Sequence, residues 1–228
     1  MVLGIDSSAI TAGCALYDGR KIVAEQFLNT RHTHSETLLP MIENMLKNAE
    51  VTLSDITRIA VTNGPGSFTG LRISISCVKG MAFGAKIPVC AVSSLEAIAY
   101  NFIGLDGIIC ACMDARLSQV YNALFRSENG VITRLCDDRA IKLSELSDEL
   151  SKINGRLIFA GDGAELAYDF TERKYELAPL VLRYQRGSGV CLAAENKPEI
   201  DPAALMPSYL RLSQAEREKL NKLQEGNV

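Results

Sequence analysis

Two stretches of the chain carry the same order of short strands, turns and helices, and this repeat restricts the fold more than any other feature. In the first stretch an apolar strand ends in Asp6, and an Asp-Gly hairpin signal at 18–19 separates the next two strand-like runs. In the second stretch an apolar strand ends in Asp114, and an Asn-Gly turn at 129–130 takes the place of the first hairpin. Because a helix, a strand and a glycine-containing loop follow in both, the sequence predicts two copies of one β-β-β-α-β-α unit.

Two such units describe the ribonuclease-H-like topology as it is duplicated in the actin, Hsp70 and sugar-kinase superfamily. We therefore expect an α/β protein with two lobes that face each other across a cleft, an N-terminal lobe over residues 1–103 and a C-terminal lobe over 104–212. Residues 213–228 begin with the capping-box pattern Ser-Gln-Ala-Glu and are predicted to form a charged helix. A β-meander followed by a helix is a common arrangement, so an accidental repeat is the alternative.

The composition is typical of a globular protein and excludes some classes of function. The 228 residues include 24 Lys and Arg against 27 Asp and Glu, and the net charge of −3 argues against a lone nucleic-acid binder, which needs a basic surface. The seven cysteines are odd in number and lie mostly in apolar runs, which predicts buried thiols in a reducing compartment. No apolar stretch reaches the roughly 18 residues of a membrane span, and the expected location is the cytoplasm.

The most concentrated motif is a glycine-rich loop, Asn-Gly-Pro-Gly-Ser-Phe-Thr-Gly-Leu-Arg at residues 63–72, between a predicted strand and a predicted helix. The free N–H groups at the start of a helix attract phosphate or carboxylate, but no Gly-Lys-Ser/Thr follows, so the loop is not a Walker A motif. The alternative is a structural turn in which Thr69 caps the helix. The candidate anion- or nucleotide-binding residues are Gly64, Gly66, Ser67, Phe68, Thr69, Gly70 and Arg72.

The turn after Asp6 lacks the glycine that the phosphate loop of actin-like kinases requires. In the pattern Asp-x-Gly-x-Thr, glycine lets the backbone approach a nucleotide, whereas this chain has Ser8 at that position. The second copy has Arg116 two residues after Asp114, and no adenosine-binding Gly-Gly-Gly run follows. We therefore expect no independent ATP hydrolysis or phosphoryl transfer, and the sequence assigns no catalytic residue.

Neither the histidines nor the paired cysteines indicate a metal or redox site. His32 and His34 are separated by one residue, which places them on opposite sides of a strand or about 200° apart on a helix. The simpler interpretation is that they flank the start of a helix. Cys110 and Cys112 alternate onto one side of an apolar strand, and core packing is their predicted role.

Two predicted helices, at about 35–49 and 70–84, are apolar on more than one face. A helix that lies on a sheet needs a single apolar stripe, so a second stripe must contact another helix or a partner chain. The two helices could pack on each other within one chain, or they could form a docking surface.

The sequence closely resembles the bacterial TsaB (YeaZ) family at five places that occur in order along nearly the whole chain. They are the glycine-rich loop, Ile-Asp-Ser-Ser at 5–8, His-Ser-Glu-x-Leu-Leu-Pro at 34–40, Met-Asp-Ala-Arg at 113–116 and Pro-x-Tyr-Leu-Arg at 207–211. The resemblance implies the duplicated actin-like fold and a role in forming threonylcarbamoyladenosine next to the anticodon of transfer RNA.

The resemblance further implies a non-catalytic scaffold subunit. Such a subunit docks through two helices of its N-terminal lobe on TsaD, the metal-bearing transferase, and works with the ATPase TsaE. It reaches tRNA only through the complex and forms a homodimer with the same surface when alone. No cofactor of its own is expected, and ADP or ATP at the partner interface is left open. Carried over by position, the interface residues are Leu38, Leu39, Met41, Ile42, Met45, Ile73, Cys77 and Met81.

Two other functions stay open at this point. An actin-like small-molecule kinase or ATPase fits the predicted fold, although Ser8 in place of glycine counts against it. A glycoprotease-like metallopeptidase needs metal ligands that the sequence does not offer in a recognisable pattern.

Overall fold

The computed structural model describes residues 1–30 and 32–211, so the predicted helix at 213–228 lies outside the described residues. The N-terminal lobe follows the first repeat. Its elements are β1 (Val2–Asp6), β2 (Ala12–Tyr17), β3 (Ile22–Leu28), α1 (His34–Asn48), a 3-10 turn (Leu53–Asp55), β4 (Arg58–Gly64), α2 (Phe68–Ala85), β5 (Val89–Ser93) and α3 (Ser94–Tyr100).

The C-terminal lobe follows the second repeat and adds elements that the sequence did not indicate. Its elements are β6 (Gly107–Asp114), β7 (Gln119–Glu128), β8 (Val131–Arg134), β9 (Arg139–Lys142), α4 (Leu143–Leu150), β10 (Leu157–Ala160), α5 (Ala164–Phe170), β11 (Glu176–Leu177), α6 (Leu180–Arg183), α7 (Gly187–Ala193) and a 3-10 turn (Pro202–Ala204). The strand β9, which pairs with β7, and the short elements after α5 are the additions.

The two sheets have the same topology. The strand order is β3-β2-β1-β4-β5 in the first sheet and β8-β7-β6-β10-β11 in the second. In each sheet the first three strands are antiparallel, and the last two run parallel to the central strand. Both central strands end in an aspartate, Asp6 opposite Gly13 and Asp114 opposite Val120. The predicted duplicated two-lobe fold is therefore confirmed.

Helices cover both faces of each sheet. On the first sheet, alternate residues of β1 separate two layers: Leu3 and Ile5 pack with α1 and α2 in the main core, and Val2 packs towards α7 on the other side. On the second sheet, α3 covers one face and α4 and α5 cover the other. Cys110 and Cys112 are buried under α4 and α5, as the alternating pattern predicted.

The helix α7 departs from the predicted division of the chain at residue 103. Although it follows the second repeat, Val190 and Cys191 pack on the first sheet, and Ile200 forms a bridge to Val89 at the edge of that sheet. Residues 187–205 thus belong to the N-terminal lobe by their contacts. No helix among the described residues is long and apolar enough to cross a membrane.

Candidate docking groove and interlobe cleft

One stripe of α1 faces the core of the chain. Leu38, Met41, Ile42 and Met45 are each at most 5% exposed, and the sulfur of Met45 lies 3.7 Å from that of Cys14 on β2. These four residues were predicted as partner contacts, and the structure corrects that prediction for Met41, Ile42 and Met45. They form the apolar stripe that α1 needs to pack on the sheet and offer no surface to a second protein, whereas Leu38 belongs to this stripe and also lines the groove described next.

The other predicted interface residues line the outer side of the same two helices. Leu39 is 45% exposed, and Ile73, Cys77 and Met81 are partly buried at the margin of the core. A groove of about 540 Å³ runs between α1 and α2. It is lined by His34, Ser35, Leu38, Leu39, Thr69, Arg72, Ile73, Ser76 and Cys77. The role of these residues in docking stays a prediction.

The sequence analysis missed one large apolar side chain on this side of the molecule. Phe83 on α2 is 57% exposed and lies seven residues after Ser76, which lines the groove, but Phe83 itself lines a separate cavity of about 410 Å³ beside residues 199–202. A seven-residue spacing places both side chains on one face of a helix, and this was the signal that could have identified Phe83.

The glycine-rich loop packs against the turn that follows β1. Ser67 caps α2 by accepting a 3.2 Å hydrogen bond from the Gly70 N–H, so the cap is not Thr69. The Ser67 N–H donates to the Ser8 carbonyl at 2.7 Å. A Cβ on Gly66 would lie 2.3 Å from the Ser8 carbonyl oxygen, and one on Gly70 would lie 2.0 Å from the Ser7 oxygen. Both glycines are required by the close approach of the chain's own backbone.

A cleft of about 760 Å³ lies between the two lobes. Among the residues that line it are Ser8 and Thr69 of the N-terminal lobe and Asp114, Arg116 and Asp162 of the C-terminal lobe. Thr69 therefore lines both the cleft and the groove.

Two carboxylates, those of Asp114 and Asp162, lie on the C-terminal side of the cleft. Burial and the neighbouring Asp114 raise the pKa of Asp162 to about 6, against the lowering effect of a 3.0 Å hydrogen bond donated by Gln185. Asp114 itself forms an ion pair with the exposed Arg116 at 3.1 Å. Behind the cleft wall, burial raises the pKa of Asp6, although Ser8 donates to its carboxylate through both the backbone N–H and the hydroxyl. The cleft wall thus carries two aspartates, Asp114 and Asp162, together with two arginines, Arg116 and Arg211.

The two histidines lie in different surroundings. His32 is exposed, whereas the Nε2 atom of His34 lies 2.7 Å from the carbonyl oxygen of Ala9 and ties the start of α1 to the β1–β2 turn. In the part of the chain that the structure describes, no group of three His, Cys, Asp or Glu side chains could hold a metal ion.

Fold and site together define a two-lobe protein with the duplicated actin-like fold, an apolar groove on its N-terminal lobe and a cleft of mixed charge between its lobes. A family model described as "TsaD: tRNA N6-adenosine threonylcarbamoyltransferase" matches residues 21–218. The chain is 32% identical to the "tRNA threonylcarbamoyladenosine biosynthesis protein TsaB" of Bacillus subtilis over 94% of this chain and 96% of that one. The protein of the same name from Escherichia coli K12 is also 32% identical, over 71% of each chain.

A solved structure from Pseudomonas aeruginosa, described as an uncharacterised protein with similarity to peptidase YEAZ, superposes with a TM-score of 0.74. It is 25% identical and covers 92% of this chain and 99% of that one. The chain therefore belongs to the TsaB (YeaZ) family, and the resemblance found in the sequence motifs is confirmed.

Proposed function

We propose that this chain is a non-catalytic subunit in the formation of threonylcarbamoyladenosine on tRNA, and that it docks on a TsaD-type transferase through the groove between α1 and α2. A TsaE-type ATPase completes the complex, and the chain reaches tRNA only through that assembly. The names of its curated relatives support the pathway. The groove supports the mode of action.

The single observation that carries this proposal is the apolar lining of the groove and its exposure to solvent. Leu39 on α1 is 45% exposed, Ile73 and Cys77 on α2 line the groove beside it, and Arg72 and Ser76 supply polar groups. An apolar centre with a polar rim is the composition of a protein interface. A stable complex would bury about 1,200–2,000 Å² in total. In the absence of the transferase, a second copy of the chain would cover the same groove.

The cleft supports a role without chemistry of its own. Ser8 occupies the position where a phosphate loop needs glycine, and its hydroxyl donates a hydrogen bond to Asp6. We assign no cofactor to the isolated chain. If ADP or ATP is held in the complex, Thr69 is the residue of this chain that would connect it to the docked partner, because it lines both cavities.

The experiment that tests the proposal measures binding between the purified chain and the TsaD-type protein of the same organism by isothermal titration calorimetry. Leu39→Asp puts a charge on the groove and is expected to weaken binding at least about tenfold. Leu166→Asp is the matched control, because Leu166 is 41% exposed on α5 in the other lobe. Binding that is absent in the wild type, or that both variants leave unchanged, would refute the docking mode.

A further inference from the structure

After α7 the chain returns to the start of α2 along residues 206–211, a segment that we call the C-terminal strap. The Ser208 N–H donates to the carbonyl of Asn63 at 2.6 Å, at the end of β4. Arg211 reaches across to the other lobe and donates to the carbonyl of Ala115. The strap therefore has a fixed path between the glycine-rich loop and the cleft. It contains the Pro-x-Tyr-Leu-Arg motif, to which the docking groove by itself gives no role.

Tyr209 is the strap residue that contacts the first turns of α2. Its ring stacks on Phe68, with the ring centroids 4.2 Å apart and the planes 18° from parallel. Its hydroxyl accepts a 2.9 Å hydrogen bond from Nε of Arg72. The guanidinium carbon of Arg72 lies 6.0 Å from the centre of the Phe68 ring and 5.8 Å from that of Tyr209. Three side chains thus form one ordered cluster.

The cluster matters because Arg72 lines the groove and carries a permanent positive charge there. An exposed arginine on a helix samples many rotamers, and a partner that binds it must restrict them at a cost in entropy. The hydrogen bond to Tyr209 and the stacked rings restrict Arg72 before any partner arrives. The remaining guanidinium N–H groups match a carboxylate, the group with which arginine forms its strongest paired hydrogen bonds.

We propose that Tyr209 is a positioning residue of the docking groove: it holds Arg72 in the orientation in which Arg72 binds an acidic side chain of the docked protein. This inference rests on the proposed function, since it concerns the same groove and the same TsaD-type partner. It adds the C-terminal strap to the elements that determine affinity, and it predicts a negative charge on the partner group that Arg72 contacts.

A double-mutant cycle tests the inference, with the dissociation constant for the TsaD-type protein measured at low and at high salt. Tyr209→Phe keeps the ring on Phe68 and removes only the hydroxyl that accepts from Arg72. We expect it to weaken binding by about tenfold, the effect of losing a hydrogen bond to a charged group. Arg72→Ala should weaken binding by at least as much, and the double variant should bind no more weakly than Arg72→Ala alone. Tyr168→Phe is the matched control, because Tyr168 also contacts an arginine, Arg173, but in the other lobe.

The measured affinities either support or overturn the role of Tyr209. A loss of affinity in Tyr209→Phe that disappears in the Arg72→Ala background, with an unchanged melting temperature and a loss of salt dependence in Arg72→Ala, supports the inference. Equal affinity of Tyr209→Phe and wild type, or fully additive losses, overturns it while the proposed function stands. A wild-type chain that binds no TsaD-type protein overturns the proposed function and this inference with it.

Discussion

The hydroxyl of Ser8 donates a 2.9 Å hydrogen bond to the carboxylate of Asp6, and neither side chain is accessible to solvent. In a phosphate-binding loop this position holds a glycine, whose bare backbone can approach the nucleotide. Here the Ser8 side chain occupies that position and is hydrogen-bonded to Asp6. The relationship between these two residues bears directly on whether this turn can bind a nucleotide as the phosphate loop of actin-like kinases does.

We expect the isolated chain to release no phosphate from ATP, and we expect the same of Ser8→Gly. The substitution restores the glycine of the first turn, but the second copy still has Arg116 two residues after Asp114, and the chain still lacks an adenosine-binding Gly-Gly-Gly run. A phosphate-release assay on both proteins, with and without Mg²⁺, checks this outcome. Turnover by the wild type that survives further purification would restore the kinase alternative.

Asp162 should give the chain a measurable loss of stability between acidic and neutral pH. Its pKa of about 6 in the folded chain exceeds the ordinary value of 3.8, so the folded state binds this proton more tightly than the unfolded state. The free energy of unfolding therefore falls as pH rises from about 4 to about 6 and stays lower above that range.

Asp162→Asn removes this titration and keeps an oxygen that can accept from Gln185. We expect it to stabilise the chain at pH 7.5 by about 1–2 kcal/mol and to have little effect at pH 4. The expected value is smaller than the full pKa shift would give, because Asp162 borders the open cleft, where solvent screens its charge. Urea denaturation at the two pH values measures the difference. Equal stability of wild type and variant at both would contradict the assignment.

Met45 and Leu39 lie on the same helix, but a charge at the two positions should affect the stability of the chain very differently. Met45 is 1% exposed in the main core, so Met45→Asp is expected to cost more than about 3 kcal/mol of stability and to leave most of the chain unfolded. Leu39→Asp should melt within a few degrees of the wild type, because Leu39 already contacts solvent. Thermal unfolding followed by circular dichroism distinguishes the two. A folded Met45→Asp protein would mean that α1 presents its other stripe to the sheet.

Two glycines of α2 form a second matched pair. A Cβ on Gly70 would lie 2.0 Å from the Ser7 carbonyl oxygen, whereas a Cβ on Gly80 would meet nothing within 4 Å. Gly70→Ala should therefore destabilise the chain by about 2 kcal/mol or more, as steric insertions into packed sites do. Gly80→Ala should stabilise it by about 0.5–1 kcal/mol through helix propensity. Guanidinium denaturation reports both values, and a neutral Gly70→Ala would show that the loop can move away from the β1–β2 turn.

The repeat in the sequence was sufficient to predict the duplicated fold, because the aspartate-ended strands and the two Asp/Asn-Gly turns are local signals. The orientation of α1 was not predictable in the same way. Leu38 and Leu39 each begin an apolar stripe, and the sequence alone does not say which of the two faces the sheet and which faces a partner. Contacts between distant parts of the chain also lack a local signal, so the stacking of Tyr209 on Phe68 could not be read from either segment alone.

The return of α7 to the first sheet has a consequence for how the chain reaches its final form. Val190 and Cys191 cover a face of that sheet formed by strands made near the start of synthesis. Until the ribosome has released α7, that face has no cover and the strands of the first sheet are exposed on one side. The N-terminal lobe is therefore completed only after the chain of the C-terminal lobe has been made, and residues 1–103 alone do not contain its whole core.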